Sequence, residues 1–320
     1  MVLEELSILN YKNIEQAEIR RSPGINCFVG KNGMGKTNLL DAVYYLSFCR
    51  SYTNPVDSQI IRHDADVCML QGKYRMKDDV PVEIYSGLRR RQKKQFKRDK
   101  KAYDKLTDHY GLIPLVMISP TDAELIAGVG EDRRKFMDMA ISQYDKEYLR
   151  ALVNYSKALQ QRNVLLKNEE EAMDLTLMEL WEEQMVANGT LIHQKRKTFV
   201  EELTPIFNDF YTRIRRSAES VSLDYVYPLT DSDFGERLAA NRQRDLILGH
   251  TTVGVHRDEL EMLLGGYPMK KVGSQGQNKT YFVSLKLAQF HFLLKRGHTV
   301  PILLLDDIFA RLDTQRVDAH

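Results

Sequence analysis

Eight residues near the amino terminus constrain this chain more than any other stretch. Gly30-Lys31-Asn32-Gly33-Met34-Gly35-Lys36-Thr37 satisfies G-x-x-x-x-G-K-[ST] at every fixed position. The context is also the one the pattern requires. The apolar run Ile25–Val29 reads as a strand, and Lys36 to about Phe48 carries Leu39, Leu40, Val43, Tyr44 and Leu46 at helical spacing. Glycines let backbone N–H groups curl around phosphate oxygens, and the helix N-terminus adds a positive dipole end. Lys36 is expected to reach the β and γ phosphates, and Thr37 to offer its hydroxyl to Mg²⁺. The loop residues Gly30, Lys31, Asn32, Gly33, Met34 and Gly35 complete the expected cradle for ATP.

A second acidic motif stands near the far end of the chain. Ile302-Leu303-Leu304-Leu305 reads as a buried strand ending in Asp306-Asp307. A strand end beside a phosphate loop would place Asp306 at Mg²⁺ and leave Asp307 to polarise an attacking water. Lys36, Asp306 and Asp307 are thus the candidate catalytic groups, with Thr37 and Asp306 on the metal. Ser274-Gln275-Gly276 opens a helix expected over Lys279–Lys295, about thirty residues before the acidic strand. Small residues at a helix N-terminus make an anion site; the plainer alternative is a helix cap by Ser274. Ala310-Arg311-Leu312-Asp313 has the form of a loop that crosses a dimer interface.

The rest of the chain frames these motifs. Residues 2–9 read as a strand and Val67–Tyr85 as a meander. Ile113–Ile118 reads as a buried strand. From about Arg133 to Ser217 the sequence becomes long, charged and helical, with a turn at Asn168–Glu171, a second helix through Trp181, Val186 and Ile192, and a third start at Pro205. Strands return at Ser222–Tyr227 and Glu261–Leu264, the latter followed by a Gly265-Gly266 hairpin turn. The resulting expectation is an α/β, P-loop ABC-type ATPase head, a mixed sheet with flanking helices, with an inserted, mainly helical arm. The head would occupy 1–130 and 218–320, and the arm 131–217.

Composition excludes more than it selects. Lys+Arg 46 against Asp+Glu 44 gives a net charge of only +2, so any nucleic-acid surface must be local. The local candidate is the basic run from Arg89 to Lys101, with Arg89, Arg90, Arg91, Lys93 and Lys94 as candidate DNA contacts; a solvated positive surface is the alternative. Phe96 within the run is expected under a hairpin, with stacking on a base as the alternative. Arg133 and Arg134 open a helix, where cations need a nearby anion, from DNA or from an acidic partner in the protein. His256-Arg257-Asp258 reads as a turn network, there being no adjacent nucleophile. Cys27, Cys49 and Cys68 form no metal-ligand cluster, which fits a reducing compartment. No signal peptide or run of membrane-spanning length is evident, so no membrane part and a cytoplasmic location are expected.

Taken together, "NYKNI", "GINCFVGKNGMGKTNLLDAVYYLS", "CRSYT", "ISPTDAELIAG", "DRRKFMDMAI", "YLRALVNYSKALQQRNVLLKN", "GVHRDEL", "GSQGQNKT" and "ILLLDDIFARLD" resemble the RecF family of bacterial recombination mediators over nearly the whole chain. The resemblance implies an ATP-dependent homodimer in which Ser274, Gln275 and Gly276 of one copy meet the γ-phosphate held by the other. It implies binding to duplex and gapped or junction DNA, a weak DNA-stimulated ATPase, and work with RecR and RecO in loading RecA. The alternatives are an ATP-gated DNA scaffold with negligible hydrolysis and another SMC or ABC-type ATPase. Three departures from the family pattern stand out. Asp41 replaces a glutamate, Thr53 replaces an arginine, and the chain is expected to stop short of a strand carrying the switch-loop polar residue. No glutamine appears near Ser119-Pro120, where ABC heads often carry a Q-loop.

Overall fold

The computed structural model describes Met1 to Asp307, apart from residues 23, 55, 168–173, 216–218, 228–232 and 298. The expected interface loop Ala310–Asp313 and most of the expected turn Asn168–Glu171 lie outside the described residues.

Contacts between residues group the chain into two compact units, one of residues 1–120 with the segment from 293, the other of 121–292. In the first unit, β1 (Val2–Tyr11), β2 (Ile14–Arg20), β3 (Val67–Arg75), β4 (Pro81–Arg89), β5 (Gln95–Arg98) and β6 (Lys101–Ala102) form an antiparallel sheet in the order β2-β1-β3-β4-β5-β6. The alternation read from Val67 onward is real: in β3, Cys68, Leu70 and Tyr74 are buried, while Val67, Lys73 and Arg75 are exposed. Helix α1 (Lys36–Phe48) packs on β1, β3 and β4 and reaches β7 (Leu115–Ile118). Its second half is buried on every face, from Asp41 through Phe48. Beyond it a short α2 (Asp57–Ile60) leans on β4. β7 pairs in parallel with β11 (Ile302–Leu305), in register Ile302↔Leu115 to Leu305↔Ile118.

One expected strand is absent. Residues 24–31 are irregular, with Ile25 90% and Val29 92% exposed. An apolar run becomes a strand only where a neighbour completes the ladder, and no described strand pairs with this one.

The second unit is mostly helical. It contains α3 (Glu124–Ala127), α4 (Gly130–Ser142), α5 (Lys146–Lys167), α6 (Leu175–Arg215), α7 (Phe234–Ala240) and α8 (Arg242–Leu248). A three-stranded antiparallel sheet follows in the order β10-β9-β8, made by β8 (Val221–Val226), β9 (Glu259–Leu264) and β10 (Tyr267–Pro268). Gly265 and Gly266, with φ +57° and +82°, make the expected β9–β10 turn. Next come α9 (Met269–Val272) and α10 (Gln275–Arg296), whose last residues enter the first unit.

Helices α5 and α6 run antiparallel. Tyr148 meets Arg196, Arg162 meets Glu182, and a Cβ on Gly189 would come within 3.2 Å of Tyr155. Pro205 starts no third helix; it lies inside the 41-residue α6. Proline removes one hydrogen bond from a helix interior, and here tertiary packing outweighs that loss, since Val200, Leu203 and Phe207 around it are buried.

Two buried arginines bind the second unit together. Arg162, fully buried, donates to Glu182, Asp245 and Thr251. Its neighbour Asn163 accepts from the Thr251 N–H and hydroxyl. Arg196 donates to Asp138, Asp258 and the Val255 carbonyl. Such charges are tolerated inside only when fully partnered.

Candidate functional site

The phosphate-loop motif takes the shape its glycines require. Gly33 and Gly35 have φ +81° and +91°, left-handed values that side chains rarely adopt. Gly35 is the N-cap of α1, so the loop runs straight into the helix N-terminus. A Cβ on Gly35 would also lie 2.7 Å from Asn13 Oδ1. Gly35 is thus fixed twice, by handedness and by close approach.

Lys36 Nζ donates to the carbonyls of Gly30 and Lys31, at 2.7 and 3.0 Å. An ammonium has three N–H donors, so it holds the loop's crown and keeps one for a ligand. Thr37 Oγ1 donates to Asp306 Oδ1 at 3.0 Å. The backbone explains how residues so far apart in sequence meet. Asp306 N–H donates to Ile118 O at 2.9 Å, extending the β7–β11 ladder by one step beyond Leu305. Asp307, exposed and with φ +49°, ends the strand. A hydroxyl beside a carboxylate oxygen is a hard-oxygen donor set, the chemistry that suits Mg²⁺.

Around this core lies a set of residues to which the sequence assigned no role in the site. Asn13, at the tip of the β1–β2 hairpin, donates through Nδ2 to Gly33 O at 2.9 Å, while its Oδ1 accepts from Asn38 Nδ2 at 2.7 Å. The adjacent Lys12 donates to Asp41 and to Thr53. Asp41, fully buried, also accepts from Tyr11 OH, Ser51 Oγ and the Tyr52 N–H. Burial, and then the Asp41 charge, push the Tyr11 phenol well above its ordinary range, so Tyr11 stays a donor. For Tyr11, Lys12 and Asn13 the signal in sequence was the short "NYKNI" match, which assigns them no task, while Asp41 and Thr53 stood out as departures from the family pattern.

Ser274 and Gln277 form a reciprocal cap. Gln277 N–H donates to Ser274 Oγ at 3.3 Å, and Ser274 N–H donates to Gln277 Oε1 at 2.8 Å. The helix therefore starts at Gln275, one turn before the expected Lys279. The capping role and an anion-binding role are compatible. A serine hydroxyl that accepts one hydrogen bond still has its O–H to donate. Gly273 allows the tight approach, since a Cβ there would lie 2.3 Å from Asn278 Oδ1. Ser274, Gln275 and Gly276 are all exposed.

The basic run divides into two groups. Arg89, Arg91 and Lys93 are exposed. Arg90 is not free: its guanidinium donates to the carbonyls of Ala65 and Arg62 at 3.0 and 3.1 Å. Lys94 donates to Cys49 O at 2.6 Å and pairs with Asp57 at 2.9 Å. Cys49 is the C-cap of α1, so Lys94 sits where a helix end favours a cation. Arg90 and Lys94 are thus engaged within the protein, whereas the other three candidates are exposed. Phe96 is buried, as its place in a hairpin suggested.

The other candidates resolve in the second unit. Arg133 pairs with Glu259 at 2.6 Å, and Arg134 donates to Asp258 O, so an acidic group of the protein balances the α4 N-terminus. His256 shares a hydrogen bond with Tyr155 OH and another with Thr251 O, the expected turn network. Burial lowers its pKa to about 4 and raises that of Asp258 to about 6. Among the described residues, no cluster of His, Cys, Asp and Glu could hold a metal ion, and no helix is long and apolar enough to cross a membrane.

Comparison with known proteins gives concordant results. Residues 2–320 match the family described as "RecF/RecN/SMC N terminal domain". The chain is 57% identical over 318 residues to the DNA replication and repair protein RecF of Parabacteroides distasonis, covering 99% of this chain and 86% of the relative. Identity and coverage are the same with that protein from Bacteroides thetaiotaomicron. Among solved structures it is similar to a recombination mediator protein RecF-ATP of the RecFOR pathway, with TM-score 0.93, 29% identity, and coverage of 99% of this chain and 87% of that one. A Pyrococcus furiosus Smc head, at 18% identity and TM-score 0.55, shares the fold.

Proposed function

This chain belongs to the RecF family, within the wider RecF/RecN/SMC group, and on that premise we propose that it is an ATP-gated, DNA-binding dimer of replication and recombinational repair. The observation that carries the reading is the hydrogen bond from Thr37 to Asp306, which joins the phosphate loop to the acidic strand end. ATP binds at Gly30–Thr37, with Lys36 on the β and γ phosphates. Thr37 and Asp306 would hold Mg²⁺, which would supply positive charge to offset that of the phosphates. Asp307 orients the attacking water. An aspartate reaches one methylene less far than a glutamate, so turnover is slow.

The γ-phosphate is the contact between copies. Ser274, Gln275 and Gly276 of a second molecule cap it through the free serine O–H and the start of α10. Two such sites related by a two-fold axis close the dimer. We assign residues 1–130 and 218–320 to the head and 131–217 to the arm. The exposed cations Arg89, Arg91 and Lys93 grip DNA through phosphates, with little sequence reading. The naming of a solved relative as a recombination mediator of the RecFOR pathway supports a place in that pathway, and within it we propose action with RecO and RecR at gapped DNA, toward RecA loading.

Sedimentation tests this directly. The wild-type chain should move from monomer to dimer on adding ATP and Mg²⁺, and Lys36→Met should remain monomeric. A Lys36→Met dimer that forms with ATP as readily as wild type would refute the assignment.

A further inference from the structure

The cap at Ser274 depends on a residue that no motif includes. Gln277 Oε1 must face the Ser274 N–H, but an amide side chain can turn over and present its NH2 instead. Something has to fix its orientation. Gln277 Nε2 donates to both carboxylate oxygens of Glu219, at 3.3 and 3.4 Å. An ionised carboxylate only accepts, so the NH2 end must face Glu219 and the carbonyl end must face Ser274. Glu219 in turn pairs with Arg215 at 3.0 Å, in the last turn of α6, and accepts from Tyr211 OH. Arg215 offsets the negative charge that Glu219 would otherwise bring near an anion site. The nearby packing is firm: Tyr281 of α10 stacks edge-on against Phe207 and Tyr211 of α6.

We propose that Glu219 is a positioning residue for the Ser274 hydroxyl, acting through the orientation of the Gln277 amide. This rests on the reading of Ser274 as the group that meets a partner's γ-phosphate. With Gln277 fixed, its backbone N–H occupies one Ser274 lone pair and the O–H is left for phosphate. With Gln277 turned over, an NH2 would face the Ser274 N–H and the start of α10 would rearrange. The end of α6 and the phosphate cap are therefore one mechanical piece.

A charge exchange tests the idea in the full-length protein. Gln277→Glu alone sets two carboxylates against each other and should weaken ATP-driven dimerisation by about tenfold or more. Adding Glu219→Gln removes the clash and restores one hydrogen bond across the pair with donor and acceptor exchanged, and dimerisation should recover to within about threefold of wild type. Binding of a fluorescent ATP analogue to the monomer should be unchanged in all variants, which a general loss of folding would not allow. The proposal fails if Gln277→Glu dimerises like wild type, or if the double variant is no better than the single one. Ser274→Arg is the control for the underlying reading. If it blocks dimerisation while the exchange shows no rescue, only the role of Glu219 falls. If it dimerises normally, the reading of Ser274 falls with it.

Discussion

Asp41 receives hydrogen bonds from Tyr11, Lys12, Ser51 and the Tyr52 backbone, which uses the roughly four acceptor positions of a carboxylate. This bears on two of the three departures from the family pattern, Asp41 and Thr53. They meet at one ammonium, because Lys12 donates to both. An arginine at 53 would bring a second cation against Lys12, so the threonine hydroxyl is the compatible partner. One residue further along the hairpin tip, Asn13 ties Gly33 to Asn38. Asn13→Ala should lower ATP affinity by roughly 5–30-fold through loss of two hydrogen bonds. Titration with a fluorescent analogue measures this, and unchanged affinity would show that the loop holds its own shape. The glycines, Lys36 and Thr37 were legible in sequence because their spacing is a local code. Asn13 and Glu219 were not, because their partners are set by folding alone.

At the scale of elements, the basic run shows why charge alone misleads. Its cations alternate between surface and structure because β4 and β5 form a hairpin beside the end of α1. Neutralising Arg91 and Lys93 together should flatten the salt dependence of DNA binding by a slope of about 2. Arg90→Gln or Lys94→Gln should instead lower the thermal midpoint and leave that slope intact. Equal effects of the two pairs on the slope would restore all four to the DNA surface. Helix periodicity located α1, α5 and α6 well, since each buries a long apolar stripe. It failed at Pro205, where packing overrode a local breaker, and at Ile25–Val29, where an apolar run lacked a mate among the described strands. A cap by Ser274 was read from sequence as the plainer alternative, but its partners Gln277 and Glu219 were not.

At the scale of the whole molecule, stability carries a signature of its buried ionisable groups. His256 is lowered to about 4 by burial from an unfolded value of 6.5. Between those values the unfolded chain binds a proton that the folded chain refuses, so stability contributed above pH 6.5 is lost as pH falls toward 4. Asp258, raised to about 6 by burial, contributes in the opposite direction, losing stability as pH rises through its window. His256→Gln should therefore show a shallower loss of stability than wild type between pH 6.5 and 4.5, measured by urea unfolding. Parallel curves would mean that the imidazole is protonated in the fold.

The parallel pairing of β7 with β11 also bears on how the protein is made. Ile302 pairs with Leu115, so a ribosome adding roughly 5–20 residues per second must work for about 10–40 s after making one strand before it makes the other. During that interval Leu115–Ile118, buried in the finished fold, has no mate, and Thr37 has no aspartate to meet. The nascent chain can shape its phosphate loop early, yet it gains the acidic half of the site only after β11 has been made. A chaperone that shields apolar strands on emerging chains would find its target here.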